Sequence, residues 1–352
     1  MNKKILYSTL WGLLTVAFWS CSDWTEVESE DYFEYPAKDY YASLRDYKKT
    51  DHQVAFGWFG NWTGRGASMV NSLMGLPDSV DFVSVWGNWH TLDEHRMADK
   101  KQVKEQKGTR ALICFIIQDI GAQITPVEYK DKPNEYWGFD PENTAADNAR
   151  NLAAVEKYAL AICDTIIKYD YDGFDIDYEP NFGHRGNMSG NDAYMLHFIK
   201  TLSKHMGPKS GTNRLLVIDG EPQSIVAESG PYFDYFIVQA YQATSDSNLD
   251  GRLSSTIENF QGFLSPEEVA KKYIVTENFE SYASTGGVDY TDRYGNKMQS
   301  LAGMACWTPF VNGKAVRKGG IGTYHMEYDY PTTPVEYKYL REAIRIMNPA
   351  VN

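Results

Sequence analysis

Short apolar runs, six to eight residues long, recur along this chain and alternate with stretches whose apolar residues return every third or fourth position. Eight such runs stand out: Gln53–Phe59, Asp81–Trp86, Arg110–Ile117, Gly173–Glu179, Arg214–Asp219, Tyr235–Tyr241, Lys272–Glu277 and Gly320–Glu327. Most are apolar throughout, as expected of strands covered on both faces. Between them, Asn143–Tyr169 places Leu152, Val155, Tyr158, Ala159, Ile162 and Ile166 at helical spacing. Ala193–Lys204, Pro266–Lys271 with Ser265 as its N-cap, and Lys338–Met347 read as further helices. Three longer segments, Asp119–Asn143, Asp246–Ser265 and Tyr282–Met298, read as loops, the first rich in aromatic residues and the other two polar.

Strands alternating with helices predict a parallel α/β fold. Eight of them predict a single (β/α)8 TIM barrel with long βα loops, which needs about 250 residues; the chain has 352. A doubly wound sheet would carry a Gly-rich phosphate loop after its first strand, and Phe59-Gly60-Asn61-Trp62 is not one.

The fourth run differs from the others. Tyr171-Asp172-Gly173-Phe174-Asp175-Ile176-Asp177-Tyr178-Glu179-Pro180 holds four carboxylates in eight residues. On a strand, alternate side chains share a face. Asp175, Asp177 and Glu179 fall on one face, and Phe174, Ile176 and Tyr178 on the other. Three desolvated carboxyls cannot all ionise, so a proton is shared among them. That is how a general acid stays protonated near neutrality. The spacing does not fit an EF-hand calcium loop. In a barrel the chemistry sits where strands end, which puts Glu179 at the mouth and Asp177 one step deeper.

Asp172-x-x-Asp175-x-Asp177-x-Glu179 resembles the DxxDxDxE signature of glycoside hydrolase family 18, the chitinases and endo-β-N-acetylglucosaminidases. The resemblance implies a retaining, substrate-assisted route, in which the 2-acetamido oxygen of the sugar attacks its own anomeric carbon. Glu179 is then the general acid/base. Asp177 orients the acetamido N–H, Asp175 holds Asp177, and Asp172, of opposite parity, is structural. Gln239-x-Tyr241, at the end of the sixth run, is similar to the endo-β-N-acetylglucosaminidase branch, and Tyr241 would donate to the acetamido carbonyl. Tyr324 stands where chitinases carry a tryptophan floor. Candidate substrate contacts at the other strand ends are Trp58, Asn61, Trp86, Asn88, Asp219, Glu221 and Glu277. The expected activity is cleavage of the GlcNAc-β1,4-GlcNAc core of N-glycans, with related surface enzymes pointing towards complex-type glycans. The alternatives are a silent glycan-binding protein on the same fold and a chitinase.

Composition narrows the class. The net charge of −13 disfavours a nucleic-acid binder. The 25 Tyr, 16 Phe and 9 Trp supply rings suited to half-wet sugar-stacking positions. No Cys or His pair has metal-ligand spacing, so neither a metal nor a cofactor is expected. Cys114, Cys163 and Cys306 are an odd set with no disulfide framework. At the N-terminus, Lys3 and Lys4 precede an apolar stretch from Ile5 to Trp19 and then Ser20-Cys21. This resembles a bacterial lipoprotein signal, although Phe18 and Trp19 are bulky for the positions before such a cleavage. The expected organisation is a signal peptide over 1–20, an acidic tether and lead-in over 21–50, lipidated at Cys21, and the catalytic barrel over 51–352. The acidic stretch after Cys21 looks like the tether of surface lipoproteins in the Bacteroidetes. That implies an outer-membrane, cell-surface location, with N-glycans as ligands and glycan-import proteins as candidate neighbours.

Overall fold

The structure is a computed structural model and describes residues 38–87 and 89–349. Cys21, Asn88 and the segment 1–37 lie outside the described residues. The described residues from Tyr41 onward form one compact unit. Within the stretch 21–50, read above as tether and lead-in, Lys38–Tyr47 is the first helix, α1.

Eight parallel strands close into a barrel. They are β1 (Val54–Phe59), β2 (Phe82–Val85), β3 (Arg110–Ile116), β4 (Gly173–Tyr178), β5 (Leu215–Gly220), β6 (Tyr235–Val238), β7 (Tyr273–Asn278) and β8 (Gly320–Tyr324). Each pairs with its neighbour in sequence, and β1 pairs with β8 to shut the ring. All eight runs predicted from the hydrophobic pattern are barrel strands. Two end three residues earlier than predicted. β6 stops at Val238, leaving Gln239 and Tyr241 in the loop, and β8 stops at Tyr324, leaving His325 and Glu327 beyond it.

Strand parity sorts the core into two parts. Val54, Phe56, Trp58, Phe82, Leu112, Cys114, Leu215, Val217, Ile237 and Ile274 pack together inside the barrel. The opposite parity, including Phe174, Ile176 and Tyr178, packs outward in the larger core that also takes in the helices. Asp175 and Asp177 are therefore inward, as the alternation predicts.

Three carboxylates register the bottom of the ring. Asp81, Asp172 and Asp234 immediately precede β2, β4 and β6 or stand one residue before them. Each accepts the amide of the second residue of the preceding strand: Ala55 at 2.8 Å, Ala111 at 3.0 Å and Leu216 at 2.9 Å. Asp172 also pairs with Lys104. Next to it, Gly173 has φ 154, and a Cβ there would collide with the carbonyl oxygen of Leu215. The glycine of the acidic motif is thus required by the close approach of β4 and β5.

The larger helices are α2 (Glu94–Lys107), α3 (Pro133–Trp137), α4 (Ala149–Lys168), α5 (Asp192–Leu202), α6 (Asp246–Asn259) and α7 (Pro266–Lys272). After them come α8 (Phe279–Tyr282), α9 (Ser300–Cys306) and α10 (Lys338–Met347). Ser265 caps α7 in a reciprocal box with Glu268. One prediction is corrected. Asp246–Ser265 is not a loop, because its first fourteen residues form α6, capped by Ser245 and buried along Leu249, Leu253 and Thr256. The segment 282–298 holds all but the last residue of a small hairpin, Asp289–Thr291 against Lys297–Gln299.

Candidate active site

The acidic strand ends inside a cavity of ≈ 680 Å³ at the C-terminal mouth of the barrel. Asp177, Glu179, Gln239, Tyr241, Trp58, Trp86 and Tyr324 all face it, with Asp219 and Cys114 at its floor. Rings make the walls. Tyr324 stacks near-parallel to Trp86 at 6.1 Å, stands edge-on to Trp58 at 6.2 Å and tilts beside Tyr241 at 6.1 Å. Phe182, 66% exposed, stands at the rim.

Under these walls the carboxyls form a ladder. Asp175 is fully buried, and its Oδ2 accepts from Ser84 Oγ at 2.6 Å and Trp58 Nε1 at 3.1 Å. Burial pushes its carboxyl up to about 6, against the pull of those donors. One step outward, Asp177 is pushed up to about 8, first by burial and then by the charges of Glu179 and Asp175. Its Oδ1 is enclosed and has no hydrogen-bond partner among the described residues; nor has Trp86 Nε1. Both are polar atoms that a ligand in the cavity can satisfy. Asp219, from β5, is raised well above the ordinary carboxylate range by burial and by the charges of Asp175 and Asp177. At the mouth, Glu179 is half-buried, and its Oε1 accepts from Gln239 Nε2 at 2.7 Å. Among the deeper acids, then, burial favours the protonated forms of Asp175, Asp177 and Asp219.

Two sharp turns aim the rings. Gln242 and His325, the residues directly after Tyr241 and Tyr324, both adopt left-handed φ, 58° and 52°. Such backbone is uncommon outside glycine and persists where surrounding contacts hold it. Buried glutamates supply those contacts. Glu277 Oε1 accepts the amide of Gln242 at 3.0 Å, and Glu327 Oε1 meets His325 Nδ1 at 2.8 Å.

These placements correct two candidate substrate contacts. Glu277 is fully buried, with its oxygens taken by the amides of Gln242 and Asn278 and by Ser300 Oγ, so it supports a loop. Asn61 turns its amide to Glu327 Oε1 at 3.1 Å and does not line the cavity. Glu221 lines a second cavity, of ≈ 470 Å³, which shares Glu179, Phe182 and Gln239 with the first and adds Asn181, Gln223, Arg252 and Ser255. Asn88 is outside the described residues. Ser84, Cys114, Phe182 and His325 were not anticipated. Inward parity on β2 and β3 signals the first two, whereas nothing in the sequence places a loop ring at the rim.

Cys114 Sγ and oxygens of Asp175 and Asp219 gather within 4.8 Å, the one cluster of metal-ligand type among the described residues. Its chemistry suits hydrogen bonds better than an ion. Burial raises all three groups towards their protonated forms, and Trp58 and Ser84 point hydrogens at Asp175.

Comparison with known proteins agrees with this geometry. Residues 25–346 match the family model for glycoside hydrolase family 18, BT1044-like. A solved structure of a selenomethionine-labelled BT1044 variant is 38% identical, with a TM-score of 0.76 over 89% of this chain and 93% of that one. Endo-β-N-acetylglucosaminidase F2 from Elizabethkingia meningoseptica is 26% identical over 339 residues, covering 88% of this chain and 85% of the relative. An endo-β-N-acetylglucosaminidase structure from Cordyceps militaris, 23% identical with a TM-score of 0.60 over 90% of this chain and 97% of that one, shares the fold. With its closed barrel, its acid ladder at the mouth and a family match over most of its length, this chain belongs to glycoside hydrolase family 18.

Proposed function

We propose that the protein is an endo-β-N-acetylglucosaminidase that cuts between the two core GlcNAc residues of N-glycans, with retention and with the substrate's own acetamido group as nucleophile. The observation that carries this reading is the pairing of Asp177 Oδ1, enclosed and unpartnered, with Glu179 at the mouth and Tyr241 across the same cavity. A 2-acetamido sugar seated there offers an N–H to Asp177 and a carbonyl oxygen to the Tyr241 hydroxyl. The acetamido oxygen attacks the anomeric carbon as the glycosidic bond breaks, and Glu179 gives its proton to the leaving oxygen. The ring formed is an oxazolinium, whose charge the Asp177 carboxyl stabilises. Glu179, now a base, takes a proton from water, which opens the ring and restores the acetamido group. Tyr241 strengthens its bond as charge builds on the acetamido group. The second cavity, on the far side of Glu179, suits the leaving GlcNAc and its peptide.

The relative from Elizabethkingia meningoseptica bears the name of this activity. Complex-type antennae are the preference we propose, at the rim where Phe182 and Gln123 border the cavity. We also propose lipidation at Cys21, which would hold the enzyme at the outer membrane beside glycan importers; loss of palmitate labelling in Cys21→Ser tests this separately.

The test of the activity is mass spectrometry of N-glycoproteins bearing high-mannose, hybrid or complex glycans. The expected result is a protein that keeps one GlcNAc at each cut site and a released glycan that ends in the other, with complex glycans cut fastest. Binding without release would make the protein a lectin, and release of chitin fragments alone would make it a chitinase.

A further inference from the structure

Asp219 lies below the reacting groups, in register with Asp177 on the neighbouring strand and 1% exposed. The scheme above gives it no task, yet its carboxyl meets three side chains from three directions. Cys114 Sγ, on β3, lies 3.5 Å from its Oδ2. Asp175, on β4, brings a carboxyl oxygen within 4.8 Å of it, and its Oδ1 is buried with no other hydrogen-bond partner. Gln239, after β6, donates Nε2 to its Oδ1 at 3.4 Å, and the same amide nitrogen donates to Glu179 Oε1 at 2.7 Å. Asp177 and Tyr241 are the other titratable groups that act on it from the cavity side.

Two buried carboxyls in contact share a proton. Asp175 already receives hydrogens from Ser84 and Trp58, which favour its anion, so the shared proton belongs to Asp219. Asp219 then donates to Asp175 and keeps its other oxygen as an acceptor. That acceptor and Glu179 both face the NH2 end of Gln239. A flipped amide would set its carbonyl oxygen against two carboxyl oxygens, so the orientation of Gln239 is fixed.

We propose that Asp219 is a positioning residue: as a neutral acid it fixes the Gln239 amide, and through that amide the aim of the Glu179 carboxyl, while donating a hydrogen bond to Asp175 from below. The proposal rests on the hydrolytic reading of the site. It assigns Gln239 the task of carrying an N–H to Glu179, and it makes the β5 acid a support beneath the substrate in place of a substrate contact.

The experiment compares Asp219→Ala, Asp219→Asn and Gln239→Leu in the full chain. Asp219→Ala removes the donor and the acceptor together. Its kcat is expected to fall by about 10–100-fold, the scale of a slightly misaimed reacting group, with KM changed by less than about threefold. Gln239→Leu should lower kcat on the same scale, again with little change in KM. Asp219→Asn presents an N–H to Asp175 and a carbonyl to Gln239, so it should recover most of the lost rate. If Asp219→Asn is as impaired as Asp219→Ala, an ionising carboxyl is needed and the proposal is wrong. Wild-type kcat in Asp219→Ala would reduce Asp219 to a space filler. Carbon-13 NMR of labelled aspartate carboxyls gives a readout that needs no turnover. The resonance missing from Asp219→Asn should hold its protonated shift through neutral pH; ionisation below pH ~6 would overturn the assignment even in an active enzyme. A wild-type chain that cuts no glycan while passing the NMR test would instead overturn the hydrolytic reading.

Discussion

Asp177 and Glu179 are two residues apart, yet their surroundings ask different things of them. Asp177 is crowded by Glu179 and Asp175 and holds one oxygen without a partner. Glu179 stands at the rim, with one oxygen on Gln239 and access to both cavities. This division fits a buried acid that orients the acetamido group beneath and a proton donor above. Glu179→Gln should keep the fold and glycan binding while lowering turnover by about 10²–10⁴-fold, the scale of general acid catalysis; isothermal calorimetry and timed glycan release measure the two halves. Tyr241→Phe should lower kcat more than it weakens binding, because its bond tightens towards the transition state. Equal losses in steady-state kcat and in affinity would remove it from that role. The parity of the motif made Asp175 and Asp177 legible in the sequence. Their partners were less so, since Ser84 and Cys114 are unremarkable until β2 and β3 are set beside β4.

The ends of the strands, where regular pairing stops, decide what faces the substrate. Tyr241 and Tyr324 each precede a left-handed residue, and buried Glu277 and Glu327 hold those two turns. Sequence alone marked Glu277 as a strand-end acid and so as a substrate contact; only the loop geometry shows its oxygens already occupied. Glu277→Ala strands the amides of Gln242 and Asn278 and the hydroxyl of Ser300. It should cost on the order of 3 kcal/mol in denaturant unfolding, as for unpaired buried donors, and lower kcat as Tyr241 loosens. An unchanged unfolding midpoint with raised KM would return Glu277 to substrate binding. The helix α6 was hidden for a different reason. Its sequence is polar and carries Gly251, with Leu249 and Leu253 as its main apolar pair, so tertiary burial and the Ser245 cap outweigh weak propensity.

Across the whole molecule, the barrel was readable because strands buried on both faces give continuous apolar runs, and eight of them leave few other closed arrangements. What pattern does not reveal is the consequence of placing so many acids inside. Asp175 is raised to about 6 and Asp177 to about 8, and Asp219 is raised as well. An acid whose folded value lies above its unfolded one contributes stability that is complete below the unfolded pKa and is lost as pH rises through the folded value. The free protein should therefore melt at progressively lower temperature as pH rises through about 6 and about 8. Asp177→Asn should flatten that decline, and scanning calorimetry across the range checks both. The central claim, that the bond is cut by two successive displacements above this acid ladder and not by direct attack of water, is tested most directly by proton NMR of the product in the first moments of glycan release. The account predicts that the new reducing GlcNAc appears first as the β-anomer, from two successive inversions at one carbon. An α-anomer appearing first would mean direct attack by water and would contradict it.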